Sequence, residues 1–127
     1  MTMAGVVALD HLQLAMPRGR EAEARAFYAG ILGLTEIMKP ANLVVRGGVW
    51  FALGTQQLHL GVEAEFRPAK KAHPAFLVKD IGGLRARLER EGYAPYDDEP
   101  LTGYERFYVA DPFGNRLEMM EPVTRSK

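Results

Sequence analysis

One succession of strand-like and helix-like segments occurs twice in this chain, about sixty residues apart, and that recurrence restricts the possible folds more than any other feature. Val6 to Ala15 alternates, with Val7, Leu9, His11, Gln13 and Ala15 on one face and Leu12 and Leu14 on the other, as a strand requires. Pro17 and Gly19 end it. From Arg20 the period becomes helical: Ala24, Phe27, Tyr28 and Ile31 make one apolar stripe, and Gly33 supplies a stop. Three short β-like stretches follow near Thr35–Met38, Gly48–Leu53 and Gln56–Glu63, the last two joined by a Gly54-Thr55 turn.

Residues 64–72 are charged, contain Pro68 and keep no period, so they read as a connection. The order then repeats. His73–Lys79 reads as a strand, and Asp80 as the cap of a helix carrying Ile81, Leu84 and Leu88 on one face and ending at Gly92. A short stretch at Ala94–Asp97 and strands at Tyr104–Ala110 and Arg116–Glu121 follow, the last two joined by the turn Asp111-Pro112-Phe113-Gly114-Asn115. His11 maps onto His73 at an offset of 62 residues, and His59 onto Glu118 at 59. The expected organisation is one domain, 1–127, built from a first module (6–63) and a second (73–122). A module of about sixty residues buries too little surface to stand comfortably alone, so the two should pack together or against a second chain.

Composition removes several function classes. Sixteen Lys and Arg balance sixteen Asp and Glu, so there is no cationic surplus for a nucleic-acid partner. No apolar run approaches the ~20 residues that span a bilayer, and Met1 to Gly5 lacks the charged start and apolar core of a signal peptide. The expectation is a soluble, cytoplasmic protein with no membrane partner. The absence of cysteine excludes a thiol nucleophile, thiolate ligands and disulfides.

Four side chains able to bind a metal fall at repeat-related places: His11 and His73 opening each module, His59 and Glu118 in its last strand. Strand alternation sets each of them opposite apolar neighbours, Leu58 and Leu60 around His59, Leu117 and Met119 around Glu118. With the apolar faces under the helices, all four are expected to converge on one concave surface. Taken singly, a histidine in a strand is more often a satisfied polar residue than a ligand. These are all three histidines of the chain, however, and the repeat relates them. Three imidazoles and a carboxylate suit Zn, Ni, Co, Mn or Fe with positions left for water or substrate, without choosing among them. Such an ion polarises a carbonyl, stabilises an enediolate or activates water, and a nearby carboxylate carries protons. Gln13 and Gln57 share the ligand face, Trp50 is an aromatic candidate for a pocket wall, and Arg106 and Arg116 are candidates for an anionic substrate group. Gly47-Gly48 and Gly82-Gly83 have no phosphate-loop context.

The stretches Asp10-His11-Leu12-Gln13-Leu14, Phe27-Tyr28, Leu32-Gly33-Leu34, His73, and Asp111 to Asn115 running into Arg116-Leu117-Glu118 resemble the vicinal oxygen chelate superfamily. That superfamily comprises glyoxalases, extradiol dioxygenases, fosfomycin-resistance transferases and bleomycin-resistance proteins. The resemblance spans Leu9 to Pro122. It implies an α+β fold, two tandem βαβββ modules forming an open barrel-like cleft, often completed in a homodimer. It also implies His11, His59, His73 and Glu118 as ligands of a divalent ion. At the place of His59 the glyoxalases typically have a carboxylate or glutamine, and the fosfomycin-resistance and dioxygenase branches use only the other three. The implied function is a metal-dependent lyase, isomerase or dioxygenase that chelates two neighbouring oxygens of a small molecule, with Glu118 as the catalytic base. The alternative is a metal-free drug- or metabolite-binding protein of the bleomycin-resistance kind.

Overall fold

A computed structural model describes residues 3–123; Met1 and Thr2, within the leader reading, and residues 124–127 lie outside it. The chain forms a four-stranded sheet of order β1-β4-β3-β2 and a three-stranded sheet of order β5-β7-β6. The first contains β1 (His11–Met16), β2 (Thr35–Ile37), β3 (Val49–Leu53) and β4 (Gln56–Val62); the second contains β5 (Ala75–Leu77), β6 (Tyr104–Ala110) and β7 (Arg116–Pro122). In each sheet the opening strand lies parallel to the closing one, β1 on β4 and β5 on β7.

The first helix starts as α1 (Glu21–Ala24) and widens over Arg25–Ile31, where the Leu32 N–H reaches back five residues to the Phe27 carbonyl. Ala24, Phe27, Tyr28 and Ile31 are all buried, so the apolar stripe survives the widening. The second helix, α2 (Ile81–Arg90), begins where the Asp80 carboxylate accepts from the Gly83 N–H at 3.1 Å, as the sequence indicates. It buries Ile81, Leu84 and Leu88.

The apolar faces of both sheets and both helices join in one core that includes Met16, Phe27, Leu58, Leu88, Phe107 and Leu117. Leu14 and Met16 point into it from β1, which leaves His11, Gln13 and Ala15 on the opposite face. Gly48 permits the tight entry to β3. Its φ is +88°, a Cβ there would stand 2.1 Å from the Leu60 carbonyl oxygen, and its N–H donates to Glu21 Oε2 at 2.9 Å. No helix among the described residues is long and apolar enough to cross a membrane.

Three expectations are corrected and one element is added. β1 starts at His11 rather than Val6, because β4 begins at Gln56 and offers nothing for residues 6–9 to pair with. β5 spans only Ala75–Leu77, so His73 lies just ahead of the strand. The eighth strand of the paired βαβββ pattern shrinks to a single bridge between Tyr96 and Tyr108, since Pro95 has no N–H to donate and an acidic run follows. A 3₁₀ segment at Ala41–Arg46, unmarked by any period, precedes β3.

Candidate functional site

Two groups of polar side chains are assembled, one on each sheet. On the four-stranded sheet, register sets Trp50 beside His59 and His59 beside Gln13, with His11 beside Gln57. The Trp50 indole and His59 imidazole stack with centroids 3.7 Å apart and planes 1° from parallel. On the other flank of His59, the His11 ring stacks at 4.3 Å and 19°. His59 Nε2 lies 2.9 Å from Gln57 Oε1, so this nitrogen carries the proton and donates it. His59 is 4% exposed. Burial and the neighbouring His11 push its pKa down, which keeps the ring neutral at neutral pH. Asp10 Oδ2 accepts from His11 Nδ1 at 3.0 Å, leaving Nε2 of His11 free to face outward.

On the three-stranded sheet, His73 Nε2 meets Glu118 Oε1 at 2.9 Å, while His73 Nδ1 lies 3.0 Å from the Lys71 carbonyl oxygen and donates to it. Glu118 Oε2 accepts from Arg106 Nη1 at 3.1 Å, and the same nitrogen donates to the Tyr108 hydroxyl at 2.8 Å. Glu118 is 6% exposed, and that burial opposes its ionisation. Hydrogen bonds from His73 and Arg106 outweigh the burial and hold its carboxyl below the ordinary range. Arg116 lies 4.0 Å over the Tyr108 ring and reaches Asp98 at 3.3 Å. The Nε atoms of Arg106 and Arg116 are buried without a partner.

The structure brings the four expected residues together in two pairs, His11 with His59 and His73 with Glu118. Within one chain the four are not gathered into a single group. The two pairs belong to separate sheets, and among the described residues no three His, Asp or Glu side chains come together as a metal-binding group. Alternation tells which face a residue takes but not which faces oppose one another, and here both apolar faces feed one core. The arginines are also placed differently from a free anion clamp, since each already meets a carboxylate, Arg106 that of Glu118 and Arg116 that of Asp98. Sequence reasoning missed Lys71, whose backbone carbonyl orients His73, and Asp98, which holds Arg116. A backbone acceptor leaves no trace in residue identity, although the acidic run at 97–99 marked a partner for basic side chains.

The family model of the glyoxalase/bleomycin resistance protein/dioxygenase superfamily matches residues 8–119. A crystal structure of a Bacillus anthracis protein assigned to the glyoxalase family is 48% identical, with a TM-score of 0.90, covering 96% of this chain and 100% of that one. The fosfomycin resistance protein FosX from Listeria monocytogenes, in its hexagonal form, shares 15% identity at a TM-score of 0.74, covering 94% and 96%. An integron cassette protein from V. cholerae shares 21% at 0.70, covering 94% and 98%. These last two likenesses show the fold. The search of curated proteins gave no significant match.

Proposed function

We propose, from the premise that this chain belongs to the glyoxalase/bleomycin resistance protein/dioxygenase superfamily, that it is a metal-dependent lyase, isomerase or dioxygenase of a small oxygen-rich substrate. Its site is completed by a second copy of the chain. The observation that carries this reading is the His73–Glu118 pair. The Lys71 carbonyl accepts from Nδ1 and so aims Nε2 at the buried, ionised Glu118 carboxylate; on giving up the proton it shares with Glu118, Nε2 would present a nitrogen beside that oxygen, a donor set suited to a borderline divalent ion.

His73 and Glu118 of one copy, with His11 of the other, would hold the ion, which supplies Lewis acidity toward two neighbouring substrate oxygens when bound. His59 is the weakest of the four candidates. Imidazole lone pairs lie in the ring plane, so the stacked His11 and His59 present theirs nearly parallel rather than converging, and the Gln57 bond already engages one nitrogen of His59. Glu118 has the further role of proton carrier at Oε1, while Arg106 steadies Oε2. Trp50 and Gln13 stand on opposite flanks of His59, with Gln57 beside His11, and these side chains would position substrate.

The dimer is supported by what each chain leaves unpaired. β1 and β5 are both sheet edges, Val6, Val7 and Leu9 ahead of β1 are exposed, and Leu77 on β5 is 72% exposed. These surfaces adjoin the half-sites on either sheet.

Elemental analysis of freshly purified protein, kept away from chelators, tests the proposal. About one divalent ion per chain is expected in a dimer, lost in His73→Ala and largely retained in His59→Ala. Protein without bound metal and without a thermal shift on adding Zn, Ni, Co, Mn or Fe contradicts it. One observation favours the metal-free binding reading, namely that Glu118 is already satisfied by His73 and Arg106 within the chain. Under that reading His73→Ala leaves the affinity for a bound metabolite nearly unchanged.

A further inference from the structure

We propose that the hollow beside the histidine row, lined by Lys39, Arg46, Gln13, Trp50 and Leu43, is a subsite for the anionic end of the substrate. The inference rests on reading the adjacent histidine and glutamate groups as the reacting centre. It adds that the substrate is a small acid.

The hollow exists because of what the sheet lacks at this level. Along the face carrying His59 and Gln13, the next row is Gly61 beside Ala15, so no bulky side chain rises there. A Cβ on Gly61 would lie 2.7 Å from the Gln13 amide nitrogen, which means the Gln13 side chain lies flat across the glycine. The space left is about 200 Å³, with Trp50, Leu43, Leu60 and Val62 as apolar walls. It has room for a carboxylate or phosphate group with a short stem.

Charge decides what it takes. The lining includes two cations, Lys39 and Arg46, and no carboxylate. Lys39 donates to the Gly47 carbonyl and keeps further N–H groups free, and Arg46 is exposed. Among the described residues neither forms an ion pair, whereas Arg106 and Arg116 near Glu118 are each held by a carboxylate. Glu21, held by the Gly48 N–H at the rim, offsets part of the Lys39 charge, but Arg46 and Lys39 together outweigh it and over apolar walls form a local attraction for an oxyanion. Two residues along a strand span roughly 7 Å, so the anion would sit about that far from the histidine row. The substrate class is therefore a short acid whose chelating oxygens stand several bonds from its carboxylate or phosphoryl group.

Trp50 is the only tryptophan and lines the hollow, so its emission reports occupancy directly. Metal-stripped protein would be titrated at constant ionic strength with butyrate, inorganic phosphate and the uncharged butyramide. One or both anions should saturate the signal with affinity roughly tenfold above the amide. Arg46→Gln and Lys39→Gln should each remove most of that preference without altering the amide response. The tighter anion identifies the acid as a carboxylate or a phosphoryl compound. Equal responses to anions and amide, or an Arg46→Gln protein that binds like the parent, overturn the proposal. Because no metal takes part, anion binding here by a protein that takes up no divalent ion would sink the metal reading alone.

Discussion

Glu118→Gln is expected to weaken divalent-ion binding by more than about 100-fold and to abolish turnover, with the fold retained. The substitution keeps the shape of the side chain and an oxygen that accepts from Arg106, but removes the negative charge that His73 and Arg106 hold below the ordinary carboxyl range. In the proposed reading one carboxyl group would both bind the ion and carry the proton, so both functions would fail together. The stability loss should be only about 1–2 kcal/mol, because glutamine still occupies the space between His73 and Arg106. Arg106→Ala makes a graded comparison. It leaves every ligand atom in place but frees Glu118 Oε2, and should cost about 10–100-fold in ion affinity, as the loss of an orienting partner does elsewhere. Calorimetric titration of each variant with one metal gives the ranking. Equal affinity in the parent and Glu118→Gln would remove the carboxylate from the site.

The largest effect on stability is expected at Asp111→Ala, about 3–5 kcal/mol, at a residue outside both half-sites. Asp111 is 4% exposed and accepts from the backbone N–H groups of Phe113 and Asn115, the Asn115 amide and the Tyr28 hydroxyl, all between 2.6 and 3.0 Å. Its removal leaves four donors behind, most of them without access to water. The turn also joins the two halves of the chain. Asn115 donates to the Ala15 carbonyl at the end of β1 and accepts from the Ala69 N–H in the connection. Tyr28 belongs to the first helix, and burial together with the Asp111 charge pushes its hydroxyl pKa well up, so it remains a donor throughout the working pH range. For a domain of this length the loss corresponds to a fall in Tm of roughly 10–20 °C. Tyr28→Phe, which removes one of the four bonds, should cost about 1 kcal/mol by the same measurement.

The legible parts of the fold were those fixed by local pattern. The helix stripe through Ala24, Phe27, Tyr28 and Ile31, the Asp80 cap and the turn at 111–115 each follow from neighbouring residues, and each is present. What local pattern misses is the partner. Residues 6–9 alternate as a strand should, yet no strand of the same chain lies beside them. Around Tyr96 the prolines and the acid run prevent more than one bridge from forming. The site divides in the same way. Repeat arithmetic matched His11 with His73 and His59 with Glu118, while the contacts join His11 to His59 and His73 to Glu118, because β1 lies on β4 and the chain before β5 lies on β7. Equivalent positions in a repeat are related by symmetry; the contacting positions come from strand pairing. Register, which decides the latter, depends on the whole sheet.

The central claim is that one ion site draws on two copies of the chain, and a mixed dimer tests it. His11→Ala and Glu118→Gln chains, each inactive alone, would be carried on different affinity tags and the heterodimer isolated through both. A site shared between copies leaves one intact set, His11 of the Glu118→Gln chain with His73 and Glu118 of its partner. The account therefore predicts one tightly bound divalent ion per heterodimer, with none in either parent. A heterodimer as empty as its parents would contradict it.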